Sequence, residues 1–161
     1  MSPLSPSDAD MVNEMPRSED HTALLNFLAP LEAQRLADDC QTVMVAVDEV
    51  VLTEGSPGDF MAFVISGKLA VKKTAAFPGR FILLAEIERG GMVGEGAVVC
   101  GDNHGATVVA LEKSELLVLS REHLRRLIST EQVLALKLLT RIVQVTRQRL
   151  NSAGARLSWI L

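Results

Sequence analysis

The stretch "EGSPGDFMAFVISGKLAV", Glu54 to Val71, decides the fold class. Gly55, Pro57 and Gly58 mark a turn, and an apolar, β-branched run follows it. Within that run Phe63, Ile65, Gly67, Leu69 and Val71 share one parity, while Ser66, Lys68 and Lys72 share the other. A two-residue period is that of a β-strand, and this one predicts a core face and a wet face.

The same texture extends outward in both directions. "VMVAVDEVVL", "FILLAEI", "RGGMVG", "ATVVAL" and "ELLVLS" are short β-type runs cut by turn signals, from Val43 to Ser120. About eight short strands at close spacing predict an antiparallel sandwich or barrel. Upstream, Leu24, Leu25 and Leu28 group on one short helix, and Pro30, a favoured first-turn residue, opens a second bearing Leu31 and Leu36. Residues 1–20 are rich in Ser, Pro and Asp and poor in apolar side chains, which predicts a leader unable to fold alone.

After Ser120 the period returns to that of a helix. Ser120 is placed to cap a short helix bearing Leu124, Leu127 and Ile128. Ser129 with Gln132 predicts a capping box for a long helix over about Thr130–Leu150. That helix has two neighbouring apolar rows. Leu136, Leu139, Val143, Thr146 and Leu150 follow coiled-coil spacing, and Ala135, Leu138, Ile142 and Val145 run beside them. One row can pack on the β-structure and the other on a second copy, giving a homodimer through residues 130–150; the alternative is a single broad stripe buried within the monomer. A tail over residues 151–161 carries Leu157, Trp159, Ile160 and Leu161. It would serve as a lid, fill the dimer groove, dock an unknown protein partner, or fray without a role.

At 161 residues and 48% hydrophobic content there is room for one ordinary core. Net charge is −4, with the basic residues scattered, and only 4% of residues are aromatic. Neither a basic patch nor a base-stacking surface is signalled, so direct nucleic-acid binding is not expected. There is no apolar run of membrane-spanning length and no secretion-signal pattern, so the expectation is a cytoplasmic protein without a membrane partner. Cys40 and Cys100 have no metal-ligand spacing and read as buried free thiols. His21, His104 and His123 are too dispersed for a metal centre, and no nucleophile-elbow pattern is present, so neither a metal site nor an enzyme is expected.

The chemistry concentrates in "VGEGAVVCGDNHGATVVA", Val93 to Ala110. Its glycines and small residues let a backbone approach a ligand closely, Glu95 can accept a hydroxyl proton, and the N–H groups of Ala97 and Val98 lie where a helical turn begins. The bland reading of Glu95 is a carboxylate tethering its own turn.

With "EGSPGDFMAFVISGKLAV" before it and "SELLVLSREHLRRLI", Ser114 to Ile128, after it, this stretch resembles the cyclic nucleotide-binding domains of bacterial catabolite activators and protein kinase A regulatory subunits. The resemblance covers about residues 24–150. It implies a mainly β fold with flanking helices: an eight-stranded antiparallel β-roll or jelly roll, short N-terminal helices and a long C-terminal helix. It also implies a cyclic nucleotide, cAMP or cGMP, as ligand. Gly94 and Glu95 match the family's cassette, with Glu95 implied on the ribose 2′-hydroxyl; Gly96, Ala97 and Val98 follow, then His104, Gly105 and Ala106. The family's phosphate-clamping Arg is His104 here, and Gly96 replaces a bulky aliphatic. Asp48 occupies a turn position that is usually Gly. "VQVTRQRL", Val143 to Leu150, resembles the catabolite activator's dimer helix, placing Thr146 at an adenine contact across the subunit boundary and Arg147 as a candidate cation for the phosphate; alternatively Thr146 bonds a carbonyl of its own helix.

Two functions remain open on the sequence. One is a stand-alone cyclic nucleotide sensor that signals through its C-terminal helix. The other is a degenerate domain that binds no nucleotide and acts as a protein-interaction module. A cyclic dinucleotide is a third, non-standard ligand.

Overall fold

In the computed structural model, residue 21 and residues 23–160 are described; the expected leader over residues 1–20 lies outside them. Eight strands form: β1 (Gln41–Val45), β2 (Val50–Leu52), β3 (Phe60–Ser66), β4 (Leu69–Thr74), β5 (Phe81–Ile87), β6 (Met92–Val93), β7 (Thr107–Ala110) and β8 (Ser114–Ser120). The helices are α1 (Pro30–Asp38), α2 (Glu95–Cys100), α3 (Arg121–Thr130) and α4 (Gln132–Ser158). The strands make two antiparallel sheets, ordered β1-β8-β3-β6 and β2-β7-β4-β5. This is an eight-stranded β-roll with a long C-terminal helix.

Strands β8, β3 and β6 of the first sheet are buried on both faces, while β1 at its edge is partly exposed. Phe60, Ala62, Val64, Leu116 and Val118 point into the space between the sheets, while Met61, Phe63, Ile65, Leu117 and Leu119 join α1, α3 and α4 in a second core. The expectation of one wet face on β3 is therefore corrected: the side the sequence assigned to water, that of Phe60, Ala62 and Val64, is covered by the second sheet, while the helices cover the expected core face. The shared face from Phe63 to Val71 also breaks at Gly67. Its φ of +91° turns the chain, and an added Cβ would lie 2.2 Å from Ser114 Oγ, so Leu69 and Val71 fall in the inter-sheet core instead.

Ser120 Oγ accepts from His123 N–H at 3.1 Å and caps α3 as expected. Ser129 does not cap α4. It lies inside α3, and its hydroxyl donates to the carbonyls of Arg125 and Arg126. The break between the helices comes at Glu131 (φ −134°, ψ 64°), whose carboxylate accepts from Arg35 Nε at 2.6 Å. α4 buries Leu134, Ala135, Leu138 and Ile142, with Leu139 and Val145 packed at the edge, and leaves Leu136, Val143 and Leu150 exposed. It continues to Ser158, eight residues beyond the expected end at Leu150, so most of the expected tail is helix. Ala153, Ala155 and Leu157 favour helix there, and Gly154 alone does not stop it.

The thiols separate. Cys40 donates to Leu36 O at 3.3 Å, and burial, with the charge of Asp39, pushes it up to about 12. Cys100 is exposed at the end of α2, correcting the expectation that both are buried. No described helix is long and apolar enough to cross a membrane.

Candidate functional site

The site is built where β6 ends against β3, with Val93 opposite Ala62 and Met92 opposite Phe63. The chain must turn at once into α2, and Gly94 makes the turn with φ +77°. A Cβ there would lie 2.9 Å from Phe60 O and 3.1 Å from His104 Cε1. Position 94 therefore excludes a side chain on both conformational and steric grounds.

Gly94 sets Glu95 facing inward at the start of α2, 7% exposed. Its Oε1 accepts from Arg149 Nη1, and Arg149 Nη2 donates to Met92 O. One guanidinium thus binds a carboxylate and a carbonyl on either side of the turn. Oε2 of Glu95 has no partner among the described residues, yet it keeps some accessible surface. It remains able to accept a hydroxyl proton.

Helix α2 begins at Glu95, earlier than the sequence suggested. The N–H of Val98 already donates to Gly94 O at 3.3 Å, so the N–H groups without an intrahelical acceptor are those of Glu95, Gly96 and Ala97. Arg121 Nη2 donates to Ala97 O and Asp102 O, both at 3.3 Å, and holds the far end of the helix.

His104 lies beneath the Gly94 turn, 5% exposed, edge-on to Phe60 with ring centroids 6.3 Å apart. Its backbone is fixed by two bonds to the β2–β3 turn, His104 N–H to Ser56 O and Gly55 N–H to His104 O, each 2.8 Å. Burial lowers its pKa below 6.5; the Asp59 carboxylate opposes this shift and the Arg121 charge adds to it. The ring is therefore neutral at neutral pH, and its Nε2 is buried without a partner among the described residues. Gly105 is exposed, and its carbonyl accepts from Lys73 Nζ at 2.8 Å; Ala106 is half-buried beside it. Lys73 also pairs with Glu54 at 2.9 Å, and that bond, with two from Thr74, holds the Glu54 carboxyl down at about 2.

The structure brings Gly94 to Val98 and His104 to Ala106 together. Within one chain it does not bring Thr146 or Arg147 to them; a contact from Thr146 across a subunit boundary would be made to a second copy. Thr146 Oγ1 donates to Ile142 O at 2.9 Å in its own helix, and Arg147 lines a surface groove with Gln144, Gln148 and Asn151. The basic residue that reaches the cassette is Arg149. A signal for it exists in the sequence: the buried row Ala135, Leu138, Ile142, Val145 advances by 3, 4 and 3, and the next step lands on Arg149.

The family model for the cyclic nucleotide-binding domain matches residues 42–131, more than half of the chain. The chain belongs to this family.

Solved structures of the same fold are numerous. A cyclic nucleotide-binding domain from Methylobacillus flagellatus superposes with a TM-score of 0.82 at 25% identity, over 89% of this chain and 84% of that one. The catabolite activator protein of Thermus thermophilus gives 0.70 at 27% identity, over 85% of this chain and 62% of its own length. The regulatory domain of Toxoplasma gondii protein kinase A, solved with cAMP, shares the fold alone, with a TM-score of 0.64 at 20% identity, over 79% of this chain and 47% of that one. No curated protein matches the chain.

Proposed function

We propose that this cyclic nucleotide-binding domain is a non-enzymatic regulatory sensor of cAMP or cGMP that signals through α4. One observation carries the reading: Arg149, on α4, binds the carboxylate to which the family resemblance assigns the ribose. With Oε1 held by Arg149 and Oε2 left open, Glu95 can accept the ribose 2′-hydroxyl without releasing α4. Ligand on Glu95 then favours the position of α4 in which Arg149 is bound, which is the differential affinity a switch requires. The phosphate would lie against the open N–H groups of Gly96 and Ala97 and the His104–Ala106 segment, where the unpartnered Nε2 of His104 would gain an acceptor.

The test is calorimetric titration of the full chain with cAMP and cGMP, and with a cyclic dinucleotide as a third arm. Binding of a mononucleotide that Glu95→Ala weakens by about 10–100-fold, as for loss of a hydrogen bond to a charged group, is the expected result. Silence at millimolar nucleotide would overturn the proposal and favour the second reading, a protein-interaction module. The observation favouring that module is the neutral, buried His104 in place of a permanent charge.

The partner best supported is a second copy of the chain. Leu136, Val143, Leu150 and Leu157 recur every seven residues along α4 and are 60–71% exposed, with Leu139, Thr146 and Ala153 at the alternate positions. This is the a/d pattern of a two-stranded coiled coil, and it continues past the part of α4 that packs on the β-roll.

A further inference from the structure

A cavity of about 500 Å³ lies away from the Glu95–His104 pocket, between the segment before α1, the β5–β6 turn and α4. Arg89 from the turn and Arg141 from α4 line it, with the side-chain amides of Asn26 and Gln148 and the ring of Phe27; none of its lining residues is Asp or Glu. Arg141 lies over Phe27, 6.0 Å from the ring centroid, and makes no ion pair among the described residues. Arg89 is anchored by one bond, Nη1 to Ile65 O at 2.7 Å, and also lacks a carboxylate partner among the described residues.

A second cavity of about 590 Å³ makes the contrast. It too holds two arginines, Arg121 and Arg125, but Asp39, Asp59 and Glu122 line it with them and supply the opposite charge. In the Arg89–Arg141 cavity none of the described residues does. Two permanent cations converge on one concavity of small-ligand size, with neutral amide donors and one aromatic face.

We infer that this cavity is a second ligand site, for a small organic anion carrying a phosphate or carboxylate on a flat ring. Arg89 and Arg141 bind the oxyanion from opposite sides, Asn26 and Gln148 supply further donors, and the ring packs on Phe27 beside the Arg141 guanidinium. Gln148 immediately precedes Arg149, and Gly91 on the opposite wall immediately precedes Met92. A ligand there ties α4 to the β-roll beside the Arg149 contact without occupying Glu95.

The experiment is a nucleotide-free NMR titration of the full chain, following the arginine Nε–Hε signals with phenyl phosphate as probe and benzoate and inorganic phosphate as parallel arms. The expected result is saturable shifts of Arg89 and Arg141 with phenyl phosphate and benzoate. Affinity should fall about tenfold or more in Arg141→Gln and in Gln148→Glu, the second of which places a negative charge in the cavity while keeping both arginines. Arg156→Gln, outside the cavity, should leave the shifts unchanged. Non-saturating shifts, or shifts of equal size at Arg156, would overturn the site. Loss in Glu95→Ala with retention in Arg141→Gln would move the anion to the cassette and overturn it also. Equal affinity for inorganic phosphate and phenyl phosphate would remove Phe27 and the flat ring from the assignment.

Discussion

Arg149 and Glu95, 54 positions apart in sequence, form the ion pair that joins α4 to the ligand cassette. The Glu95 side chain is 9% exposed and that of Arg149 35%, so the pair is shielded on the carboxylate side and open on the other. Removing Arg149 leaves a nearly buried carboxylate without its cation. Arg149→Ala is expected to lower stability by about 1–3 kcal/mol, less than a fully buried pair would cost because the guanidinium is partly screened. It should also weaken cyclic nucleotide binding about tenfold, since Glu95 loses the group that orients it. Chemical denaturation and calorimetry, run as a double-mutant cycle with Glu95→Gln, measure both. A coupling energy near zero would mean that the two residues act independently.

His104 makes stability depend on pH. Burial holds its folded pKa below 6.5, so between that folded value and 6.5 the unfolded chain binds the extra proton. The contribution is complete above pH 6.5 and is lost as pH falls below it, with a slope of at most about 1.4 kcal/mol per pH unit. His104→Phe should flatten that part of the stability profile, read from urea midpoints between pH 5 and 8. Phosphate binding has the opposite sign: protonation adds charge beside the ligand, so nucleotide affinity should rise as pH falls from 8 to 6.

Asp48 is the only non-glycine with positive φ among the described residues, at 66°, in the β1–β2 turn where the resemblance predicts Gly. Its N–H donates to Ala110 O at 2.8 Å, a bond that glycine would keep. Asp tolerates the left-handed region better than most residues but not freely. Asp48→Gly is expected to raise stability by about 0.5 kcal/mol after the entropy glycine loses on folding, and Asp48→Val to lower it by about 1–2 kcal/mol. Thermal unfolding of the two variants distinguishes this from a turn indifferent to its residue.

The exposed row of α4 predicts self-association that single changes can break. Val143→Glu or Leu150→Glu should convert a dimer to a monomer in sedimentation experiments without lowering the secondary-structure content, because both side chains are already in water in the single chain. Leu138→Ala, in the buried row, should instead cost about 2–5 kcal/mol of stability. A wild-type monomer at high concentration would count against the dimer.

The β-roll was legible because its signals are local. Alternation, turn residues and β-branched runs each span a few positions, and Gly94, Glu95 and His104 fall in one continuous stretch. What the sequence concealed depends on how elements dock. The face of β3 that shares its parity with Ser66 and Lys68 read as wet, yet the second sheet covers it, and Gly67 reversed a parity that looked continuous. Ser129 and Gln132 have the spacing of a capping box, yet α3 runs through Ser129, so the hydroxyl is used inside that helix. The resemblance put forward Arg147 as a candidate cation for the phosphate, while the basic residue on Glu95 is Arg149. Two positions on a helix differ by about 200° of rotation, so only the docked face of α4 decides which one meets Glu95.

Under the proposed signalling through α4, the extension of the helix to Ser158 would act as a lever with its fulcrum near Arg149. Nine residues separate those positions, an arm of about 14 Å at the helical rise of 1.5 Å per residue. A tilt of about 10° at the fulcrum carries Ser158 about 2.4 Å sideways by that geometry, with Trp159 just beyond it. On a rigid helix the same tilt would move buried Ile142, about 10.5 Å to the other side of Arg149, by about 1.8 Å, so a displacement of the tip is coupled directly to the packing of α4 on the β-roll.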